Sequence, residues 1–274
     1  MEPQDIPQSP STPFQILSDL HLEINQQYPS FEIPVCAKYL ILAGDIGRLI
    51  DYDHYLHFIQ QQTSRFELVF LTLGNHEFYN LTFAEGLVKV KQLEHEPSLH
   101  GRLVLLRQRG YLIPGSGVRV LGCTLWSRIS LESRAIVQTK IKDFQKIKDW
   151  TIDEHNKCHE ADLDWLMSEI RGAKKEPETK SRSVLVVTHH APLRRGTSSP
   201  RHAENAWGEA FGSEVLSGGY GLDGVGTWVF GHTHYTTDFW EGEARVVSNQ
   251  RGYVLPWSKR DEEGGFDVGK VIRV

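Results

Sequence analysis

Apolar positions in this chain fall into short, nearly continuous runs, with little of the alternation that marks a half-exposed sheet. The clearest are Phe14-Gln15-Ile16-Leu17-Ser18, Tyr39-Leu40-Ile41-Leu42-Ala43, Leu68 to Leu73, Val184 to Val187 and Thr227 to Phe230. Runs this short read as strands buried on both faces, the habit of parallel sheets. Helical spacing appears between them. Tyr52, Tyr55, Leu56 and Ile59 predict a helix from Tyr52 to Thr63, and a second is expected from Phe83 to Glu96. Leu163, Leu166, Met167 and Ile170 form one apolar face from Asp162 to Gly172, with Gly172 as the stop. Arg102 to Leu106 predicts a short strand, and Pro114-Gly115-Ser116-Gly117 a hairpin turn between Tyr111-Leu112-Ile113 and Val118 to Gly122. Thr236 to Trp240 and Ala244 to Ser248 predict an antiparallel pair about Glu241-Gly242-Glu243. Strands separated by helices give an α/β fold, in which ligands gather beyond the carboxyl ends of the strands.

The remaining segments are less regular. Residues 1–13 are polar and carry four prolines, which predicts a flexible segment that is neither signal peptide nor membrane anchor. Residues 14–274 are expected to form a single domain, since no linker is long enough to divide them. From Ser127 to Lys157 the periodicity weakens and charge rises, so an excursion at about 127–160 is expected to cover part of a site. Asp153, Glu154, His155, Cys158 and His159 resemble a metal set in a list but are expected on a solvated face, and Lys174 to Ser183 reads as a solvated linker.

Composition changes this picture only slightly. The 274 residues are 39% hydrophobic and 24% charged, as in an ordinary soluble domain, and no run approaches the roughly 18 apolar residues of a membrane span. A net charge of -5 argues against a general nucleic-acid binder, yet leaves room for a small phosphorylated substrate, because bound cations reverse the sign of a pocket. Three widely spaced cysteines make no disulfide framework; Cys36 and Cys123, in apolar surroundings, are expected as packed thiols. A cytoplasmic location is the expectation, and the pattern fixes no oligomeric state.

The chemistry sits where the apolar runs stop. Asp19-Leu20-His21, Gly44-Asp45, Gly74-Asn75-His76-Glu77, His189-His190 and Gly231-His232-Thr233-His234 each follow such a run. Carboxylate, imidazole and carboxamide suit divalent metals of intermediate hardness, and Mn²⁺, Fe and Zn²⁺ are all accepted by such a set. Seven such donors, Asp19, His21, Asp45, Asn75, His189, His232 and His234, call for two cations. Two side chains on alternate residues reach one cation only if the backbone leaves strand geometry between them, and the glycines before Asp45, Asn75 and His232 permit tight turns. Asp45, from a central strand, is the natural bridging carboxylate. Such a pair polarises a phosphoryl oxygen and lowers the pKa of bound water toward 7. His76, next to Asn75, is placed to protonate the leaving group.

These motifs, in the order D-x-H, G-D, G-N-H-[DE], H and G-H-x-H, resemble the calcineurin-like metallophosphoesterase superfamily, from Ile16 to about Tyr253. The resemblance implies a four-layer α/β/β/α sandwich. It implies one metal on Asp19, His21 and His234, a second on Asn75, His189 and His232, Asp45 bridging them, and His76 as the catalytic histidine. Val186 to Pro192 and Val246 to Tyr253 are similar to a microbial subgroup. Protein phosphatases of the superfamily read G-D-x-x-D-R-G, whereas Arg48 stands here where the second Asp would be. Either Asp51 replaces that Asp or His76 works without a carboxylate. A small phosphodiester or phosphomonoester is therefore the expected substrate, with a protein phosphatase or a non-catalytic interaction module as alternatives.

Other residues are weaker candidates. His190, Arg251 and Arg48 are candidate substrate contacts, the arginines because a guanidinium binds phosphate oxygens bidentately. Arg194-Arg195 and Arg201-His202 lie in a Gly/Ser/Pro-rich loop expected to rim the mouth. Trp207, Phe211 and Trp126 are candidates to line it.

Overall fold

In a computed structural model, which describes residues 11–175, 183–255 and 265–274, the apolar runs assemble into two facing sheets. The first holds β1 (Pro13–Leu17), β2 (Tyr39–Ala43), β3 (Leu68–Thr72), β4 (Leu103–Leu105) and β11 (Val271–Arg273), in the order β11-β1-β2-β3-β4. The second holds β5 (Arg109–Leu112), β6 (Val118–Cys123), β7 (Ser183–Thr188), β8 (Val225–Phe230), β9 (Asp238–Glu241) and β10 (Ala244–Ser248), in the order β5-β6-β7-β8-β10-β9. Central pairs are parallel, while β11, β5 and β9 add antiparallel edges.

Successive strand residues face opposite ways, so each apolar run divides between two cores. Phe14, Ile16, Tyr39, Ile41 and Phe70 meet Val120, Leu185, Val187, Val229 and Val247 in the layer between the sheets. The alternate residues Leu40, Leu42, Val69 and Leu71 face outward, where α1 (Tyr52–Thr63) packs Tyr55, Phe58 and Ile59 and α2 (Phe83–Glu94) packs Val90 and Leu93. On the other side, Leu121, Val186, Trp228 and Phe230 face Leu163, Leu166 and Ile170 of α5 (Ile152–Lys175). Two sheets flanked by helices give the expected α/β/β/α order. Burying these runs on both faces is why they lack alternation.

Several elements differ from expectation. The helix expected over Asp162 to Gly172 is the second half of α5, which begins at Ile152 and runs past Gly172 to Lys175. Its first half shows no apolar stripe in the sequence because its inward face carries histidine: His155 and His159 are buried, correcting the solvated reading for both, while Asp153 and Glu154 are exposed. Cys123 is buried, but Cys36 is exposed and is not a packed thiol. The segment after Ser127 carries two short helices, α3 (Arg134–Lys140) and α4 (Asp143–Lys146). Residues 1–10 of the opening segment and 176–182 of the linker lie outside the described residues.

Candidate metal centre

The strand ends turn inward through unusual backbone. Asp19 (φ 53°), His21 (φ 47°), Asp45 (φ 53°), His232 (φ 72°) and His234 (φ 52°) all adopt left-handed conformations. Each costs on the order of 1–3 kcal/mol and persists only where the surroundings over-determine it. The glycines let the loops close on one another: a Cβ at Gly74 would stand 2.7 Å from the Asp45 nitrogen, and one at Gly231 2.7 Å from Asp19 Oδ2.

The result is a buried knot of donors. His21 Nε2 lies 2.9 Å from His234 Nε2 and 3.8 Å from Asp45 Oδ2, and His234 Nε2 lies 3.6 Å from Asp19 Oδ1. On the other side of Asp45, its Oδ1 lies 3.4 Å from His189 Nε2, which is 3.1 Å from Asn75 Oδ1. Asp19/His21/His234, His21/Asp45/His76 and Asp45/His189/His232 each gather ligand atoms within 4.8 Å of one another. Imidazole lone pairs this close, beside two buried carboxylates, repel unless cations or protons sit among them. The donor set therefore fits divalent metals.

Outer hydrogen bonds choose which atoms face the centre. His189 Nδ1–H donates to the Ala43 carbonyl at 2.9 Å and His232 Nε2–H to the Ala210 carbonyl at 3.2 Å, which leaves His189 Nε2 and His232 Nδ1 for coordination. Asn75 Nδ2 donates to Asp143 Oδ1 at 2.7 Å, so its carbonyl oxygen turns inward. Glu77 accepts the backbone N–H groups of Gly74 (2.7 Å), Ile46 (2.9 Å) and Asp45 (3.0 Å) and the Tyr55 hydroxyl (3.1 Å), tying two motif loops together.

Electrostatics follow from this crowding. Burial opposes the charge on Asp45, yet His189, His76 and His21 hold its carboxyl well below the ordinary range. Burial likewise opposes a charged His189, but Asp45 and Asp19 push it up to about 10 in the metal-free protein. His76 is raised despite burial, by Asp45 and Glu23.

His76 has the carboxylate that the sequence left open. Its Nδ1–H donates to Glu23 Oε1 at 2.8 Å, while Asp51 is engaged with Arg48 Nε at 3.0 Å. Glu23 also lies 3.4 Å from His21 Nδ1, and its carboxyl is lowered to about 2 because bonds from His21 and His76 outweigh burial. Tyr79 stacks on the His76 ring at 4.1 Å, and the Tyr253 hydroxyl lies 3.1 Å from His76 Nε2. Glu23 was legible in principle, as the third polar residue of Asp19-x-His21-x-Glu23. Asp143 had no local signal.

A cavity of about 1230 Å³ opens over this centre, lined by Asp45, Asn75, His76, His232, His234 and Tyr253, by residues 140–143 and by part of the loop after β7, including Arg194, Arg195 and His202 but not Arg201. Trp207 and Phe211 line it; Trp126 does not, and packs at 2% exposure with Phe78, Phe83 and Trp150. None of the three candidate substrate contacts reaches the cavity wall. His190 is fully buried behind it, its ring 4.0 Å from that of His232. Arg48 pairs with Asp51, and Arg251 donates to the Leu20 carbonyl (3.0 Å) and Gln27 Oε1 (2.7 Å), bracing the loop that carries His21.

Known proteins resemble this chain in sequence or in fold. A mimivirus protein called uncharacterized protein L509, from Acanthamoeba polyphaga mimivirus, is 27% identical over 266 residues, covering 86% of this chain and 90% of that one. The crystal structure of phosphopantetheinyl hydrolase from Mycobacterium tuberculosis superposes with a TM-score of 0.68 at 17% identity, covering 97% of each chain. GAP50 of Plasmodium, described as the anchor in the inner membrane complex, gives a TM-score of 0.51 at 11% identity, covering 94% of this chain and 78% of that one. At such identities the structures speak for the fold alone. The calcineurin-like phosphoesterase model matches residues 12–236, a span that holds every donor of the knot described above. With motif order, two-sheet architecture and donor geometry in agreement, the chain belongs to the calcineurin-like phosphoesterase family, whose members hydrolyse phosphoesters with divalent metals.

Proposed function

We propose that this protein hydrolyses a small phosphomonoester or phosphodiester at a dinuclear centre. Asp19, His21 and His234 would hold one cation, Asn75, His189 and His232 the other, with Asp45 between them. The observation that supports this most is the set of hydrogen bonds to Ala43, Ala210 and Asp143, which leave His189, His232 and Asn75 with free donor atoms turned toward Asp45. Mn²⁺, Fe or Zn²⁺, bound there, would supply Lewis-acid polarisation of a phosphoryl oxygen and acidify water.

The chain's own residues do the rest. Glu23 fixes the orientation of His76 through Nδ1, which turns Nε2 toward the cavity beside Tyr253, and in the protonated ring Nε2–H faces it. That proton is the one available to a leaving oxygen. Stacking on Tyr79 limits rotation of the ring. Asp143 keeps the Asn75 amide from turning over, because only its nitrogen end can donate to a carboxylate.

Arg48 in place of an aspartate argues against the protein-phosphatase alternative, although Glu23 supplies His76 with a carboxylate by another route. A binding module on the same fold would have no need for an oriented His76, so the enzyme reading is preferred. The test is metal-stripped protein reconstituted with each metal and assayed on bis-aryl phosphates, mono-aryl phosphates and cyclic nucleotides. Metal-dependent turnover at two equivalents is expected. Fully loaded protein that hydrolyses none of them would refute the proposal.

A further inference from the structure

Three cations at the mouth have no part in the hydrolytic scheme. Lys140, at the end of α3, Lys142, just before α4, and Arg195, on the loop after β7, line the same cavity as Asp45, His76 and His234. All three are exposed. Arg194 beside them is occupied by Glu209 at 3.5 Å and Glu214 at 3.6 Å. Lys140, Lys142 and Arg195 make no ion pair among the described residues; Lys140 Nζ stands 5.7 Å from the centre of the Trp207 ring. Of the carboxylates lining the cavity, Asp45 and Asp143 are buried at its base and Glu214 is taken by Arg194. The exposed lining charges without an ion pair among the described residues are therefore cations, in a chain whose net charge is -5.

Like charges gathered on one cavity from two separate segments raise its positive potential, and an anion bound there lowers it. The cavity's 1230 Å³ exceeds the roughly 300–1,000 Å³ usual for small-molecule sites, so it holds far more than one phosphoryl group. We infer that the substrate, on the hydrolytic reading above, carries a second phosphate remote from the scissile ester, seated against Lys140, Lys142 and Arg195. A phosphate fits better than a carboxylate because three cations match a dianion.

The test is calorimetric titration of metal-loaded protein with inorganic phosphate and with two bisphosphates of different span, adenosine 3′,5′-bisphosphate and fructose 1,6-bisphosphate. Each bisphosphate is compared with its monophosphate, in wild type and in the triple variant Lys140→Gln, Lys142→Gln, Arg195→Gln. Wild type should bind at least one bisphosphate about tenfold more tightly than its monophosphate, and the variant should lose that advantage. Tenfold is about 1.4 kcal/mol, the scale three screened surface pairs supply. Inorganic phosphate affinity should move less than about threefold, and added salt should erode the wild-type preference. Neither bisphosphate exceeding its monophosphate would overturn the inference, as would equal losses for phosphate and bisphosphate in the variant. Failure of the hydrolytic reading would appear separately, as no turnover of aryl esters with the binding preference intact.

Discussion

Glu23→Gln isolates the charge behind His76. The side chain is 7% exposed and its Oε1 lies 2.8 Å from His76 Nδ1, so the amide fits the same space and keeps an acceptor while losing the charge. An opposite charge within about 4–6 Å moves a pKa by about 1–3 units. Glu23 also faces His21 Nδ1 at 3.4 Å, which shares its charge, and the amide keeps an acceptor for His76 Nδ1. The expected fall in the His76 pKa is therefore near the lower end, about 1–2 units, or about 1.4–2.7 kcal/mol of preference for the imidazolium.

The sign is fixed by the role. On the proposed mechanism the protonated ring is the acid, and in the metal-free protein Asp45 and Glu23 raise His76. Acid function is fully present below the His76 pKa and is lost as pH rises through it. Removing Glu23 lowers that pKa, so the alkaline limb of kcat should move to lower pH by about 1–2 units. The assay is kcat against pH with metal kept saturating, on an aryl and an alkyl phosphoester. The alkyl ester should show the shift more clearly, because its leaving group needs the proton more. An alkaline limb that stays in place, or moves to higher pH, would refute the reasoning. Loss of metal with no change in the profile of the remaining active fraction would assign Glu23 to His21 instead, which its 3.4 Å approach to His21 Nδ1 makes a real alternative.

Three further outcomes are expected. His76→Ala should retain its metals and lose on the order of 10²–10⁴ in turnover, most on esters with poor leaving groups; equal losses on aryl and alkyl esters would show that the ring does not act as the acid. Metal uptake at pH 7 should release a proton from His189, held up to about 10 in the metal-free protein, so apparent affinity should rise with pH until about 10; titration in two buffers of different ionisation enthalpy measures the release, and identical heats would contradict it. Glu77→Gln should lower stability by about 1–3 kcal/mol in denaturant unfolding, because an amide nitrogen would face backbone donors that the carboxylate accepts; an unchanged midpoint would mean the loops of Asp45 and Gly74 are held by other contacts.

How much of this was readable in the sequence depends on how locally each feature is encoded. The strands were legible because burial on both faces requires an unbroken apolar run, and the donors because a strand end is where a polar side chain can leave the core. Which face of Ile41 meets the other sheet and which face of Leu42 meets a helix is set by pleat and register, which the run itself does not carry. The same limit explains why three candidate contacts stand off the cavity lining. Arg48 and Arg251 carry the right chemistry for phosphate, but their partners Asp51 and the Leu20 carbonyl are fixed by how loops cross, and neither lines the cavity. His190 follows a donor in sequence, yet the next residue on a turn points the other way, into the core beside Trp126. Asp143 and Lys142 lie in a stretch whose spacing had no period. Their value comes from where α3 and α4 place them, one bound to Asn75 at the base of the cavity and the other on its rim. The candidate metal donors are thus written in motifs, whereas the groups that orient them, and those that on the inference above would select a substrate, are written in the contacts between motifs.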